Sequence, residues 1–375
     1  MHVPLYQRVY EELRADIVSG VFQVGDRLPS EESLSERFQV SAITTKRALD
    51  LLRTDGLIVR RPRLGTFVTS ATPATESAPA PSTGAVPVLG LVVTTFDDTF
   101  GTRVIEGILD AAGTRANVML KRTRGDLDLE DGHVRALVAS GVDGLLLLPS
   151  SSQFIPPAVL ELVSRKFPVV ILDRVFDGVP VSSVSSDNIG GAKAATEHLF
   201  ALGHEKLAMV SASSQVSTVT QRRQGFVRAH AEGQVPLTEG DDLHSLGATV
   251  PGSSGDVDTD LATLESYIAS HPEFTGYVVA EYNLAVLLRE ACHRLGLEVP
   301  NDVSIACFDH PLAFTDRELF RFTHVSQDQA TIGARAVEHL LAQIREPSKI
   351  ERIVLPTTLV VGQSTGPAPT TARRA

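Results

Sequence analysis

The sequence predicts an α/β chain in two parts, an N-terminal winged helix-turn-helix and a larger two-lobed unit built on parallel sheets. Three observations carry this. Residues 1–70 read as three helices and a hairpin. From Val88 onward, continuous apolar runs alternate with helical segments. Between the two, residues 71–87 are mostly Ala, Pro, Ser and Thr, with one charge and no aromatic residue. With 375 residues, 43% apolar and 21% charged, the chain can bury a sizeable core in each part.

In the first part, Leu5, Val9, Leu13 and Ile17 recur every four positions and Gly20 follows, which predicts a first helix. Pro29-Ser30-Glu31-Glu32 supplies a hydroxyl cap and two acids for a second, short helix that buries Leu34 and Phe38. Ser41 caps a third helix whose Ile43, Leu49, Leu51 and Leu52 include the inward positions, and Gly56 ends it. Thr44, Thr45, Lys46 and Arg47 then fall in its first two turns. Strands Leu57–Arg61 and Thr66–Ser70 follow, joined by Pro62-Arg63-Leu64-Gly65. In such a winged helix-turn-helix the third helix enters the major groove of DNA.

Charge agrees with that placement. The net charge of −11 argues against a polyanionic partner only when averaged. Residues 1–70 carry ten Lys and Arg against nine Asp and Glu, and residues 41–70 alone carry six against two, whereas the remainder of the chain is strongly acidic. The expected domains are a DNA-binding head at 1–70, a flexible linker at 71–87, an effector-binding and dimerisation unit at 88–365, and a disordered tail at 366–375. Fully extended, the linker spans up to about 55 Å, which leaves the two parts independently placed.

In the second part, the runs VLGLVV, DGLLLLP, PVVILD, KLAMVS, GYVVA and VSIACF are bounded by Gly, Pro or Asp and separated by helical stretches. About 275 residues exceed one compact sheet, so two similar lobes are expected, with a ligand in the crevice at the carboxyl ends of their strands.

Signatures of catalysis are missing. The chain has no Gly-x-Ser-x-Gly elbow, no Gly-x-x-x-x-Gly-Lys phosphate loop and no His-Glu-x-x-His helix. Cys292 and Cys307 read as buried, reduced thiols, and His198 and His204 as structural residues. Neither an enzyme, a cofactor nor a metal site is expected. No run approaches the roughly 18 apolar residues of a membrane span, and the first residues lack a signal peptide's apolar stretch, so a cytoplasmic protein without a membrane partner is expected.

The string LPSEESLSERFQVSAITTKRALDLLRTDGLIVRRPRLGTFV resembles the DNA-binding domain of the GntR family over nearly all of residues 3–69. The resemblance implies that Ser30 and the start of the third helix (Ser41, Thr44, Thr45, Lys46, Arg47) contact phosphates and base edges, and that the wing residues Arg63, Gly65 and Thr66 reach the minor groove. Glu32 and Ala42 stand where arginine is usual, and Lys46 replaces another. Lost guanidinium forks cost about 1–3 kcal/mol of guanine discrimination each, which points to an altered operator.

The segments VSSVSSDNIGGAKAATEHLFALGHEKLAMVS, QRRQGFVRA, RLGLEVPNDVSIACFD and HVSQDQATIGARAVEHLLAQI resemble the effector domain of the LacI/GalR family, a periplasmic-binding-protein-like fold, from about 88 to 365. With its GntR-type head the chain resembles the chimeric arabinose-repressor type of regulator. The resemblance assigns Arg222 to a position that donates to sugar hydroxyls and Asp173 to one that accepts from them, with a capping or ion-pair role as the alternative for Asp173. Arg174 can belong to either. Gln327 is a ligand contact or a hinge residue, and Phe96 and Phe100 stack on a sugar face or pack in the core. Where the family has Asn-Asp, this chain has Glu281-Tyr282-Asn283, which leaves Tyr282 for the usual carboxylate and Glu281 as a displaced ligand or a helix-dipole acid. A neutral Tyr282 would admit a sugar acid or phosphate.

These readings together imply a dimeric repressor of carbohydrate genes, released from double-stranded operator DNA by a sugar or sugar derivative. The alternatives are a small-molecule receptor with no DNA role and an activator.

Overall fold

The computed structural model describes residues 5–54, 57–61, 65–69, 86–97, 99–214, 216–311 and 320–370. Two compact units emerge, residues 1–85 and 86–375. The expected linker lies almost wholly outside the described residues, as does Arg63 at the wing's tip.

The first unit is α1 (Leu5–Val18), α2 (Glu31–Phe38), α3 (Ala42–Thr54) and an antiparallel hairpin of β1 (Ile58–Arg61) and β2 (Gly65–Val68). Val9, Leu13 and Ile17 of α1, Leu34 and Phe38 of α2, and Leu49 and Leu52 of α3 form one core with Leu57, Ile58 and Val68. Leu5, one turn beyond that core, is 54% exposed. The phase of α3 differs from the expectation. Thr45, Ala48, Leu49 and Leu52 face inward, while Ile43 and Leu51 face out. Thr45 takes the inward place, where its Oγ1 finds partners, bonding to Ser35 Oγ at 2.9 Å and donating to the Ser41 carbonyl. Gly65 adopts φ +117°, where a Cβ would meet Arg27 Nε at 2.6 Å, so the wing requires glycine.

The second unit holds two six-stranded sheets. In chain order its elements are β3 (Val88–Val93), α4 (Thr102–Ala112), β4 (Asn117–Arg122), α5 (Leu127–Ala139), β5 (Gly144–Leu147), α6 (Pro157–Ser164), β6 (Val169–Leu172), β7 (Ser182–Ser186), α7 (Asn188–Ala201), β8 (Leu207–Ala212) and α8 (Ser217–Gly233). There follow β9 (Asp242–Leu246), α9 (Val257–Ser270), β10 (Gly276–Val279), α10 (Tyr282–Arg294), β11 (Ser304–Phe308), β12 (Thr323–Gln327), α11 (Gln329–Arg345), β13 (Arg352–Leu355) and β14 (Thr357–Val360). The first sheet has order β13-β7-β6-β5-β3-β4 and is parallel throughout. The second has order β14-β12-β11-β10-β8-β9, with only β14 antiparallel.

All six apolar runs are strands, and they supply the centres of both sheets. The remaining strands are polar or at edges. β7 is SSVSS and wholly buried; β4 is largely exposed. The chain passes between lobes three times, after β7, after β12 and after β13, so that α11 and β13 complete the first lobe and β14 the second.

Cys292 and Cys307 are buried and belong to no disulfide. The expected disorder from Gly366 is not what the structure shows for residues 366–370. His204 bonds to Thr275 Oγ1 and to the Gly366 carbonyl, His198 to Thr365 Oγ1 at 3.0 Å, and the Ala368 N–H donates to the Leu202 carbonyl, so the two histidines anchor this segment to the second lobe.

Candidate functional site: an interlobe cleft and a helix face

The strands of the second unit end at a cleft between its lobes. From the first lobe, β3 leads to Thr94, Asp97 and Phe100, and β6 to Asp173 and Arg174. From the second, α8 contributes Arg222, the turn after β10 Glu281, the start of α10 Tyr282, the residue after β11 Asp309, and β12 Gln327.

Arg222 is the best-anchored group. Its Nε donates to Asn188 Oδ1 at 2.8 Å, its Nη1 to the Ala280 carbonyl, and its guanidinium stacks 3.9 Å from the Phe308 ring centroid. Burial works against its charge, and the carboxylates of Asp309, Asp173 and Glu281 oppose that. Those three acids are in turn pushed up by burial, Asp309 to about 7, with Arg222 pulling each of them back. The cleft is thus a set of mutually dependent buried charges. Asp173 Oδ1, Arg174 Nε and Gln327 Oε1 are buried there without a hydrogen-bond partner among the described residues. A lining of carboxylates, guanidinium groups and an amide suits a hydroxyl-rich molecule.

Six of the seven expected ligand residues therefore line the cleft: Phe100, Asp173, Arg222, Glu281, Tyr282 and Gln327. Phe96 does not line it and is 37% exposed. Phe100 also packs on the first lobe's core. Glu281 sits at the N-cap of α10 without capping it and accepts a bond from Thr249 Oγ1 instead. The Tyr282 ring lies edge-on to His310 and Phe322, with centroids 5.2 and 5.8 Å away.

Sequence reasoning missed Asp309 and Gln329. Gln327 Nε2 donates to Asp309 Oδ2 at 2.7 Å, and Gln329 Nε2 to Asp309 Oδ1 at 3.4 Å. Gln329 also donates to the Thr99 carbonyl at 2.7 Å and accepts from the Gly101 N–H at 3.2 Å, joining the second lobe's acid to the loop before α4. The signal for Asp309 was present: SIACFD ends in a carboxylate as PVVILD does. At the rim, Ser217 bridges the lobes, accepting from the Val175 N–H at 3.1 Å and donating its own N–H to Ser152 Oγ at 2.8 Å.

In the head, Ser30 caps α2 and Ser41 caps α3, accepting from the N–H groups of Ser33 and Thr44. Lys46 and Arg47 are exposed, Thr44 is half-buried, and Arg47 rests 4.3 Å from the Tyr6 ring centroid. Gly65 and Thr66 lie on β2. Thr45, expected to touch DNA, is completely buried and cannot.

One constellation resembles hydrolytic machinery. His339 Nε2 lies 2.9 Å from Ser182 Oγ, and His339 Nδ1 lies 3.3 Å from Glu351 Oε2. Ser182 is wholly buried, and its oxygen already accepts from Gln343 Nε2 and the Glu351 N–H, which occupies the lone pairs a nucleophile would need. The cluster fastens α11 and β13 to β7.

Residues 5–68 match the family model described as bacterial regulatory proteins, gntR family, and residues 196–365 match that of a periplasmic binding protein-like domain. The chain is 26% identical to the arabinose metabolism transcriptional repressor of Geobacillus stearothermophilus, over 97% of this chain and 98% of that one. It is 26% identical to the ribose operon repressor of Haemophilus influenzae, over 74% of this chain and 80% of that one. The crystal structure of a LacI family transcriptional regulator from Enterococcus faecium with bound ribose superposes with a TM-score of 0.62 at 22% identity, over 75% of this chain and 99% of that one. No helix among the described residues is long and apolar enough to cross a membrane.

Proposed function

We propose that this chain, which joins a gntR-type head to a periplasmic-binding-protein-like unit, is a cytoplasmic, dimeric transcription repressor of carbohydrate-metabolism genes with no enzymatic activity. Two heads bind the half-sites of a pseudo-palindromic operator, and a sugar in the cleft alters the dimer so that both heads no longer fit. A tenfold loss of operator affinity needs only about 1.4 kcal/mol of coupling.

The observation that carries this reading is the fork of Arg222, anchored on Asn188 and ringed by Asp173, Glu281 and Asp309. A planar donor set among acceptors matches vicinal hydroxyls. The same acids favour a neutral sugar over the sugar acid or phosphate that Tyr282 alone would admit. In the head, Ser30, Ser41, Thr44, Lys46, Arg47 and the wing residues Gly65 and Thr66 form the DNA-binding set.

Fluorescence anisotropy with DNA from upstream of the protein's own gene, titrated with salt and with a panel of sugars and sugar acids, tests the proposal. Salt-sensitive binding released by one compound supports it. Ligand binding without DNA binding would replace it with a receptor of another kind.

A further inference from the structure

Ile43, the second residue of α3, exposes 81% of its surface, more than any other large apolar side chain among the described residues. It does not serve the head's core, which takes Thr45, Ala48, Leu49 and Leu52 from this helix. A β-branched residue is also an indifferent helix former, so local propensity gives no reason for it. Helical spacing puts it on one strip with Lys46, Arg47 and Asp50, all exposed. It precedes the two cations by about 4.5 and 6 Å along the axis.

Arg47 is drawn over the Tyr6 ring toward α1, and Ala42, beside Ile43, is exposed where the sequence resemblance expects an arginine. The leading end of the helix therefore presents a methyl and a branched alkyl group between hydroxyls and cations. Neither can donate to guanine or accept from cytosine. In the major groove the one apolar group on a base edge is the C5 methyl of thymine.

We infer that Ile43 is a specificity-determining residue that reads a thymine of the operator through its C5 methyl group. The inference rests on the DNA-binding reading above. Lys46 and Arg47 are seated by backbone phosphates, and the alkyl group one turn ahead of them removes the thymine methyl from water.

The test begins with duplexes selected by the full-length protein from a random library. In the selected site each thymine is replaced in turn by deoxyuridine, which deletes the methyl and leaves the hydrogen-bonding edge intact. The wild type should lose about fourfold in affinity at one thymine per half-site, the worth of one buried methyl group. Ile43→Ala should be indifferent to that same replacement, and Ile43→Val should retain part of the discrimination. Tight binding with no thymine-to-uracil penalty, or a penalty undiminished in Ile43→Ala, would overturn the inference while leaving DNA binding standing. Failure to select any duplex would overturn both.

Discussion

Asp173 and Asp309 occupy the same place in the two lobes: each follows a central strand, each adopts φ +62°, and each lines the cleft. The backbone N–H of Asp173 donates to Val184 at 2.8 Å and that of Asp309 to Val325 at 3.0 Å, so each remains paired to the neighbouring strand while its backbone turns. Left-handed backbone costs about 1–2 kcal/mol at a residue bearing a Cβ. Here it accompanies two strand-end carboxylates that face one cleft with Arg222 between them in charge.

Asp309→Asn should weaken sugar binding by about ten- to a hundredfold, the worth of a hydrogen bond to a charged group, with operator affinity retained. Calorimetric titration reads this directly. The same residue sets a pH dependence. Its carboxyl is raised from 3.8 to about 7 chiefly by burial, so between these values the folded chain keeps a proton that the unfolded chain has released. Its contribution to stability therefore falls as pH rises through that window and is level above it. Sugar affinity should move the opposite way, rising from pH 6 to 8 as the acceptor ionises, and Asp309→Asn should flatten that rise.

Arg222→Ala should lower the melting temperature and abolish the response to ligand, because it strips Asp173, Glu281 and Asp309 of their shared cation; breaking a buried pair costs about 3–5 kcal/mol. Arg222→Lys keeps the charge but loses the fork. A folded Arg222→Lys protein that binds sugar at wild-type strength would show that the guanidinium geometry is immaterial.

Lys46→Ala should reduce the salt slope of operator binding by about one unit per head, as expected for one lost phosphate contact. Thr45→Val should leave that slope unchanged and destabilise the head by about 1 kcal/mol through the lost bond to Ser35. Salt titrations and thermal melts of the two variants separate contact from support.

Ser217→Ala removes the acceptor of the Val175 N–H at the cleft rim. Sugar should dissociate about two- to tenfold faster, corresponding to one neutral hydrogen bond holding the lobes together. Stopped-flow release of bound sugar measures it, and an unchanged rate would place closure elsewhere.

The central strands were legible because a strand covered on both faces must be apolar throughout. β7 was not, since SSVSS carries no such run; its buried Ser182 is satisfied by His339, Gln343 and the Glu351 N–H, residues far away in sequence. Phe96 and Phe100 looked equivalent as neighbours in one loop, and only the turn at Asp97, whose carboxylate accepts from the N–H groups of Thr99 and Phe100, separates the exposed ring from the one in the cleft.

What the amino-acid order determined by itself was local: caps, apolar periods, the basic stretch of the head and the strand-end acids all act within a few residues. The tertiary structure decided the phase of α3, where Thr45 turns inward to meet Ser35 and Ile43 is left in water, and the company of Arg222, where Asn188, Phe308 and Asp309 arrive from separate elements. Burial and buried charge depend on which distant groups share a space, and that is settled only when the lobes are packed.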